Sequence, residues 1–426
     1  MSNRARPRIL FIGEAATLAH VARPLALAAA LPADRFEAMI ACPEAYRAWV
    51  PAQVSWTPLH TQPPSRFAAR LRAGRPVFDR ALLERYVQDD LDLLAQIRPD
   101  LVVGDARVSL AASARRAGVP YVAITNAYWH PGPPMRPVVP CFSWTGKAPL
   151  ALLQALAVIG APLACAWATA PIARTLAAHG VGNLGLDIRR WWTDADITLY
   201  ADFPGLFPEV TETPTRRFLG PIEWEPPVGL PAWWRGVPGD RPLAYLTLGS
   251  SGDARRTQDL ARWLVDLGYT VLAATAGRAK LKTDRRRIFA ADFLPGAAVC
   301  ARSDLVVCNG GSPTSTQALI AGKPVLGVCT NIDQFMNMRA VAASGAGLLL
   351  RSDRLTAPAV AGAVARLREP SFAAAAARVR DSRRQLNAGS ELAACIERLI
   401  GGTRPAGKRP ANAAGAAAKP GLALGT

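Results

Sequence analysis

Two groups of residues carry chemistry. The first lies in 304–334, DLVVCNGGSPTSTQALIAGKPVLGVCTNIDQ. Asn309-Gly310-Gly311-Ser312-Pro313-Thr314 is a Gly-rich turn between an apolar run, Asp304–Cys308, and a helix whose start is crowded by Thr314, Ser315 and Thr316. Backbone N–H groups at a helix start, aided by the helix dipole, form a ready site for phosphate. Asp333-Gln334 follows the next apolar run, Val325–Val328, at the end of a strand, where open α/β sheets bind ligands. A phosphate site with polar groups just beyond it suits a nucleotide carrying a hydroxyl-rich group. The second group is a candidate base. His20 follows the first apolar run and enters the first helix, and Asp105 follows the run Leu101–Gly104. A carboxylate that holds one ring N–H makes a neutral imidazole a stronger base.

The register of the first group resembles the donor-binding signature of the GT-B glycosyltransferases of the UDP-glycosyltransferase (family 1-like) type, here bacterial. That signature begins with His, passes through a Gly-rich loop to Ser or Thr, then Glu, Gly-x-Pro and Asp/Glu-Gln. Asn309, Gly311, Thr314, Gln317, Gly322, Pro324, Asp333 and Gln334 stand at those positions without insertion. Two positions depart. Asn309 replaces the diphosphate-binding His and can donate an amide N–H, but carries no charge. Gln317 replaces the Glu on the ribose hydroxyls and binds a diol more weakly, without charge assistance. The resemblance implies that Gly310, Gly311, Ser312 and Thr314 face the diphosphate and that Asp333 and Gln334 hold sugar hydroxyls. It implies further that the turn Gly249-Ser250-Ser251-Gly252 meets the diphosphate. Phe293, in Phe293-Leu294-Pro295-Gly296, stands where the family stacks an aromatic ring on uracil. In the same family a Gly-His-x-x-Pro element supplies the base. Around His20, Ala19 replaces the Gly and one residue is added before Pro24; Asp105 stands where the family pairs an Asp with that His. Trp129 and His130 lie in a loop that suits the acceptor side.

The elements that position these groups follow from apolar periodicity. Runs at Ile9–Gly13, Phe36–Cys42, Leu101–Gly104 and Tyr121–Thr125, then Leu243–Leu248, Thr270–Ala274, Leu305–Cys308 and Val325–Val328, alternate with helical stretches. This is the pattern of parallel, doubly wound sheets. At 426 residues the chain is too long for one core. The fold class expected is α/β, GT-B: two doubly wound Rossmann-like domains with a cleft between them. The expected division is an acceptor-binding domain over 1–220, a Pro- and Trp-rich linker over 221–242, a nucleotide-sugar domain over 243–401 and a disordered tail over 402–426. That tail is Gly, Ala, Pro and basic residues, too poor in large apolar side chains to order itself. The uncharged segment 148–173 carries Pro149, Pro162 and Pro171, and it predicts a pair of short apolar helices beside the acceptor cleft. Surface attachment to a membrane is the second reading of that segment.

Composition narrows the function further. The net charge of +18 fits a basic face for an anionic donor or membrane. Only six of the 50 basic residues are lysine, so the Arg- and Ala-heavy bias of a GC-rich genome accounts for much of it. No aromatic-plus-basic module points to nucleic acid. Seven scattered cysteines form no CxxC pair, and MSNRARPR opens the chain without a secretory apolar stretch. The expected location is cytoplasmic, with peripheral contact at the inner membrane as the alternative. His60, His130 and His179 lack metal-ligand spacing, so no metal is expected, and no cofactor beyond the nucleotide-sugar co-substrate. The expected reaction is inverting, metal-independent transfer of a hexose from a UDP- or dTDP-sugar to a hydroxyl of a hydrophobic small-molecule or lipid acceptor. His20 is the base and Asp105 its partner. The alternatives are a non-catalytic nucleotide-sugar binder, or a GT-B sugar-nucleotide epimerase or hydrolase.

Overall fold

The computed structural model describes residues 6–132, 137–284, 286–383 and 386–401. The expected tail 402–426 lies outside the described residues. The first sheet holds seven strands: β1 (Arg8–Gly13), β2 (Glu37–Cys42), β3 (Ser55–Pro58), β4 (Leu101–Asp105), β5 (Tyr121–Thr125), β6 (Ile197–Tyr200) and β7 (Arg216–Phe218). Their spatial order is β3-β2-β1-β4-β5-β6-β7, and every pairing is parallel. The second holds β8 (Leu243–Thr247), β9 (Thr270–Ala274), β10 (Ile288–Ala291), β11 (Leu305–Cys308), β12 (Val325–Cys329) and β13 (Gly347–Arg351). Their order is β10-β9-β8-β11-β12-β13, again all parallel. This is the GT-B arrangement.

The strands expected from apolar runs are the inner ones, buried on both faces. The edge strands β3 and β7 carry Pro58, Arg216 and Arg217 and show no continuous apolar run, whereas the edge strands β10 and β13 hold only the short apolar runs Ile288–Ala291 and Leu348–Leu350. β6 is four residues long. Each sheet reverses its winding between its first strand and the third strand after it, at β1/β4 and at β8/β11. These are the positions where doubly wound sheets open a crevice. Register fixes what meets there. Gly13 pairs with Asp105 across β1/β4, and Thr247 pairs with Cys308 across β8/β11.

Two findings differ from expectation. The segment with three prolines is one helix, Leu150–Ala178, with Pro162 and Pro171 inside it. Each interior proline costs about 3 kcal/mol by deleting a backbone hydrogen bond. The Ala-rich flanks nevertheless hold helical geometry through both. Second, the C-terminal helix Ala388–Ile400 leaves the sheet it follows in sequence. Leu392, Cys395, Ile396 and Leu399 are buried in one core with β1, β2 and the helix Ala19–Ala30. The span 243–401 is therefore not one spatial unit. A shared core of Tyr200, Phe203 and Phe207 against Phe335, Met338 and Val341 joins the two halves.

Candidate active site

Between the sheets lies a cavity of about 2050 Å³, bounded by His20, Asp105 and Trp129 on one side and by Ser251, Phe293 and Thr314 on the other. That is larger than most small-molecule pockets.

On the first wall, the chain turns sharply from β1 into the helix Ala19–Ala30. A Cβ on Gly13 would sit 2.3 Å from the His20 carbonyl oxygen, so only glycine lets the helix start approach the strand end this closely. His20 Nδ1 lies 2.8 Å from Asp105 Oδ1. This leaves Nε2 as the ring nitrogen turned to the cavity that His20 lines. Sequence reasoning missed a third member. Arg23, one turn on from His20, is buried and donates to Asp105 twice, Nε to Oδ2 at 2.7 Å and an η nitrogen to Oδ1 at 2.9 Å. Its other η nitrogen donates to Asn126 Oδ1 at 2.7 Å. Burial works against the Arg23 charge, but Asp105 holds the guanidinium protonated above its ordinary range. The i, i+3 spacing of His20 and Arg23 is the signal that could have found it. Ala106, next after Asp105, takes φ +57°, a left-handed conformation that non-glycine residues adopt at a cost and that concentrates at functional sites.

Behind this pair sits a second buried network. Tyr86 Oη donates to Glu14 Oε1 at 2.9 Å, and Arg107 bridges Glu14 Oε2 at 3.4 Å and Asp90 Oδ1 at 3.0 Å. Burial pushes Glu14 up to about 7, against the pull of Arg107. Asp202, which accepts from Asn126 and from the Ala127 backbone N–H, is pushed by burial up to about 6.

On the second wall, the loops after β8 and β11 meet. Asn309 Nδ2 donates to Ser251 Oγ at 3.0 Å, and Asn309 Oδ1 accepts from the Gly311 N–H at 3.0 Å. Asn309 thus ties the two donor loops together rather than pointing alone at a ligand. Gly310 has φ +82°, and a Cβ there would lie 2.7 Å from Cys329 Sγ and from Met338 Cγ. It shapes the turn from behind and does not line the cavity. The helix Ser312–Ile320 follows Gly311 with no side-chain cap; Gly311 gives its N–H to Asn309 and Pro313 has none, which leaves the N–H groups of Ser312 and Thr314, both lining the cavity, as the open ones. Ser250 and Phe293 also line the cavity, and Phe293 is exposed there.

Besides Gly310, three expected residues differ in placement. Gln334 is buried, accepting from the Thr330 and Asn331 N–H groups at 2.8 and 3.3 Å and donating to Ser251 Oγ at 3.2 Å. With Asn331 it closes a capping box on the helix Ile332–Ala343, so its amide is spent on the scaffold. Gln317 lines the cavity, but its Nε2 donates to the Trp224 carbonyl of the interdomain segment at 3.0 Å. His130 turns away from the cavity to Tyr200 Oη at 2.7 Å, and burial beside Arg216 lowers its pKa. Trp129 does line the cavity. Asp333 lies in it too, and its Oδ1 accepts from Tyr128 Oη at 2.7 Å, a bond that crosses from one wall to the other.

Residues 270–399 match the family model "Erythromycin biosynthesis protein CIII-like, C-terminal domain". A PGL/p-HBAD biosynthesis glycosyltransferase of Mycobacterium tuberculosis is 46% identical over 84% of both chains. A PGL/p-HBAD biosynthesis rhamnosyltransferase of Mycobacterium bovis is 47% identical over 84% of this chain and 80% of its own. The chain belongs to the GT-B glycosyltransferases of the UDP-glycosyltransferase type. Among solved structures, the Streptomyces glycosyltransferase SsfS6 complexed with thymidine diphosphate superposes with a TM-score of 0.62 at 20% identity, over 91% of this chain and 99% of that one. As a glycosyltransferase, the protein must hold a sugar donor and an acceptor, and the two switch points open onto one cavity. The alternatives of a non-catalytic binder or an epimerase fall away. Among the described residues no cluster of three or more His, Cys, Asp or Glu could hold a metal ion.

Proposed function

We propose that this glycosyltransferase moves a hexose, a rhamnose-type 6-deoxyhexose being the leading candidate, from a thymidine or uridine diphosphate sugar to a hydroxyl of a hydrophobic, lipid-like acceptor, with inversion at C1. One observation carries the reading: a His20–Asp105 pair at one switch point faces an uncapped helix start at the other. In this mechanism Nε2 of His20 takes the acceptor proton as its oxygen attacks C1. Asp105 holds the imidazolium that forms. The diphosphate leaves from the opposite face towards the N–H groups of the helix Ser312–Ile320, where developing negative charge is stabilised by fixed dipoles. Asp333, at the boundary of the walls, offers its second carboxylate oxygen to a sugar hydroxyl. The relatives named for rhamnosyl transfer and the neighbour holding thymidine diphosphate support the donor class. The acceptor class is supported by the lining: Phe67, Trp129, Phe142, Trp192 and the small-residue face Ala157, Gly160, Ala161, Ala164.

The test is turnover of dTDP-rhamnose, UDP-glucose and UDP-galactose against a panel of long-chain phenols and alcohols. Products are identified by mass spectrometry and the new anomeric centre by NMR. A glycoside of opposite anomeric configuration to the donor is expected. A product of retained configuration, or donor hydrolysis alone across the panel, would overturn the reading.

A further inference from the structure

The helix Leu150–Ala178 has two long faces with different fates. Ala157, Gly160, Ala161 and Ala164 line the cavity. Leu152, Leu156, Ile159, Leu163 and Trp167 recur at intervals of three and four residues on a face exposed to solvent, with Ile159 at 76% and Leu163 at 75%, and Leu156 stands at the border of the two faces, exposed and also lining the cavity. Five large apolar side chains in an exposed row are unusual on a soluble surface and mark an interaction site. The helix is apolar and long enough to cross a membrane, yet Ile172, Thr175 and Leu176 near its end are buried in the protein core. Its exposed stretch, Leu152 to Trp167, is about 24 Å long at 1.5 Å per residue. That geometry suits lying on a membrane better than spanning one.

The surroundings decide what covers this face. Just before the helix, Phe142 and Trp144 stack 6.0 Å apart, Trp144 is exposed, and Lys147 follows. Gly74 approaches the Phe142 ring just after the helix Pro64–Arg72, which has no buried residue; Arg72 at its end and Arg75 beyond it are exposed. An apolar row, aromatic rings and basic side chains thus adjoin on one rim of the cavity. Amphipathic surfaces of this composition bind the headgroup boundary of anionic bilayers. A second copy of a chain with a net charge of +18 would bring like charges together at the same rim.

We propose that the face carrying Ile159, Leu163 and Trp167, with Arg72, Arg75 and Lys147, docks the enzyme on an anionic lipid surface. Docked this way, the acceptor cavity opens onto the bilayer, and a lipid acceptor enters along the helix without crossing water. The docking itself does not depend on the acceptor or sugar assigned above.

The test is flotation of the full chain with extruded vesicles of phosphatidylcholine, alone or with phosphatidylglycerol, at low and high salt. Wild-type protein should float with the anionic vesicles at least tenfold more than with the neutral ones, and salt should reduce this. The triple variant Ile159→Gln/Leu163→Gln/Trp167→Gln should lose at least tenfold, and Arg72→Glu/Arg75→Glu several-fold, with thermal unfolding unchanged. If the triple variant is unstable, Ile159→Gln alone, at a position already exposed, should still reduce flotation measurably. Three results would overturn the proposal: no flotation of wild type with anionic vesicles, flotation undiminished in the variants, or a dimer by light scattering that the triple variant disperses. None of these readouts requires glycosyl transfer, so a failed docking test leaves the catalytic reading standing, and the reverse.

Discussion

The two walls of the cleft are built alike and filled oppositely. Both place polar loops at the switch point of a parallel sheet, after β1 and β4 on one side and after β8 and β11 on the other. The donor wall leaves backbone N–H groups open at the start of the helix Ser312–Ile320, while the neighbouring helix Ile332–Ala343 closes its own start with Asn331 and Gln334. The base wall holds side-chain charges and pairs them densely: Asp105 takes bonds from both His20 and Arg23, and Arg107 bridges Glu14 and Asp90. One wall is suited to hold charge with fixed dipoles, the other to move a proton. Substitutions should therefore separate the two jobs.

The largest effect is expected at Arg23. Arg23→Met leaves Asp105 buried with only His20 as a partner, and breaking a buried ion pair from one side costs on the order of 3–5 kcal/mol. Denaturant unfolding should show that loss, while thymidine diphosphate affinity in the folded fraction stays within about twofold. A large affinity loss would mean that the walls are not independent.

Glu14→Gln reads the base wall through pH. Burial raises the folded-state pKa of Glu14 from 4.5 to about 7, so the folded protein holds a proton that the unfolded chain releases. The stability this proton brings is fully present below about pH 4.5 and is lost as pH rises to about 7, by about 3 kcal/mol. Wild type should show that slope in unfolding free energy, and Glu14→Gln should lack it. Parallel pH curves would contradict the assignment.

On the donor wall, Thr314→Asp places a carboxylate at the open helix start, where it takes the position of a phosphate charge. Nucleoside diphosphate affinity should fall about 30-fold, close to 2 kcal/mol, with stability unchanged or raised. The smallest effect is expected next door. Asn331→Ala removes a cap and costs about 1 kcal/mol of stability, with nucleotide affinity within about twofold. Comparable affinity losses in both variants would erase the distinction between the two helix starts.

The inner strands other than β6 were legible because burial on both faces demands continuous apolar runs such as Leu305–Cys308 and Tyr121–Thr125, whereas β6, ITLY, is short and interrupted by Thr198. The edge strands β3 and β7 were not, since one side of each meets solvent or loop and tolerates Pro58 or Arg216, and the runs of β10 and β13 are only four and three residues long. His20 and Asp105 were legible from their places after two strands, and register brings those strand ends together. Arg23 was hidden because a buried Arg looks, in sequence, like any solvated one. Gln334 shows the converse. Asn331-x-x-Gln334 is itself a capping-box spacing, and it coincides with the position the family signature gives to sugar binding. The return of Ala388–Ile400 to the first core was invisible, because an amphipathic stripe states that a helix packs and not on which sheet.

The most direct measurement is steady-state kinetics of His20→Ala with donor affinity determined in parallel. The account predicts that kcat falls at least a thousandfold while the nucleotide Kd stays within about twofold, because the base and the donor site occupy different walls. A variant that keeps kcat within tenfold of wild type, or that loses donor affinity in step with rate, would contradict it.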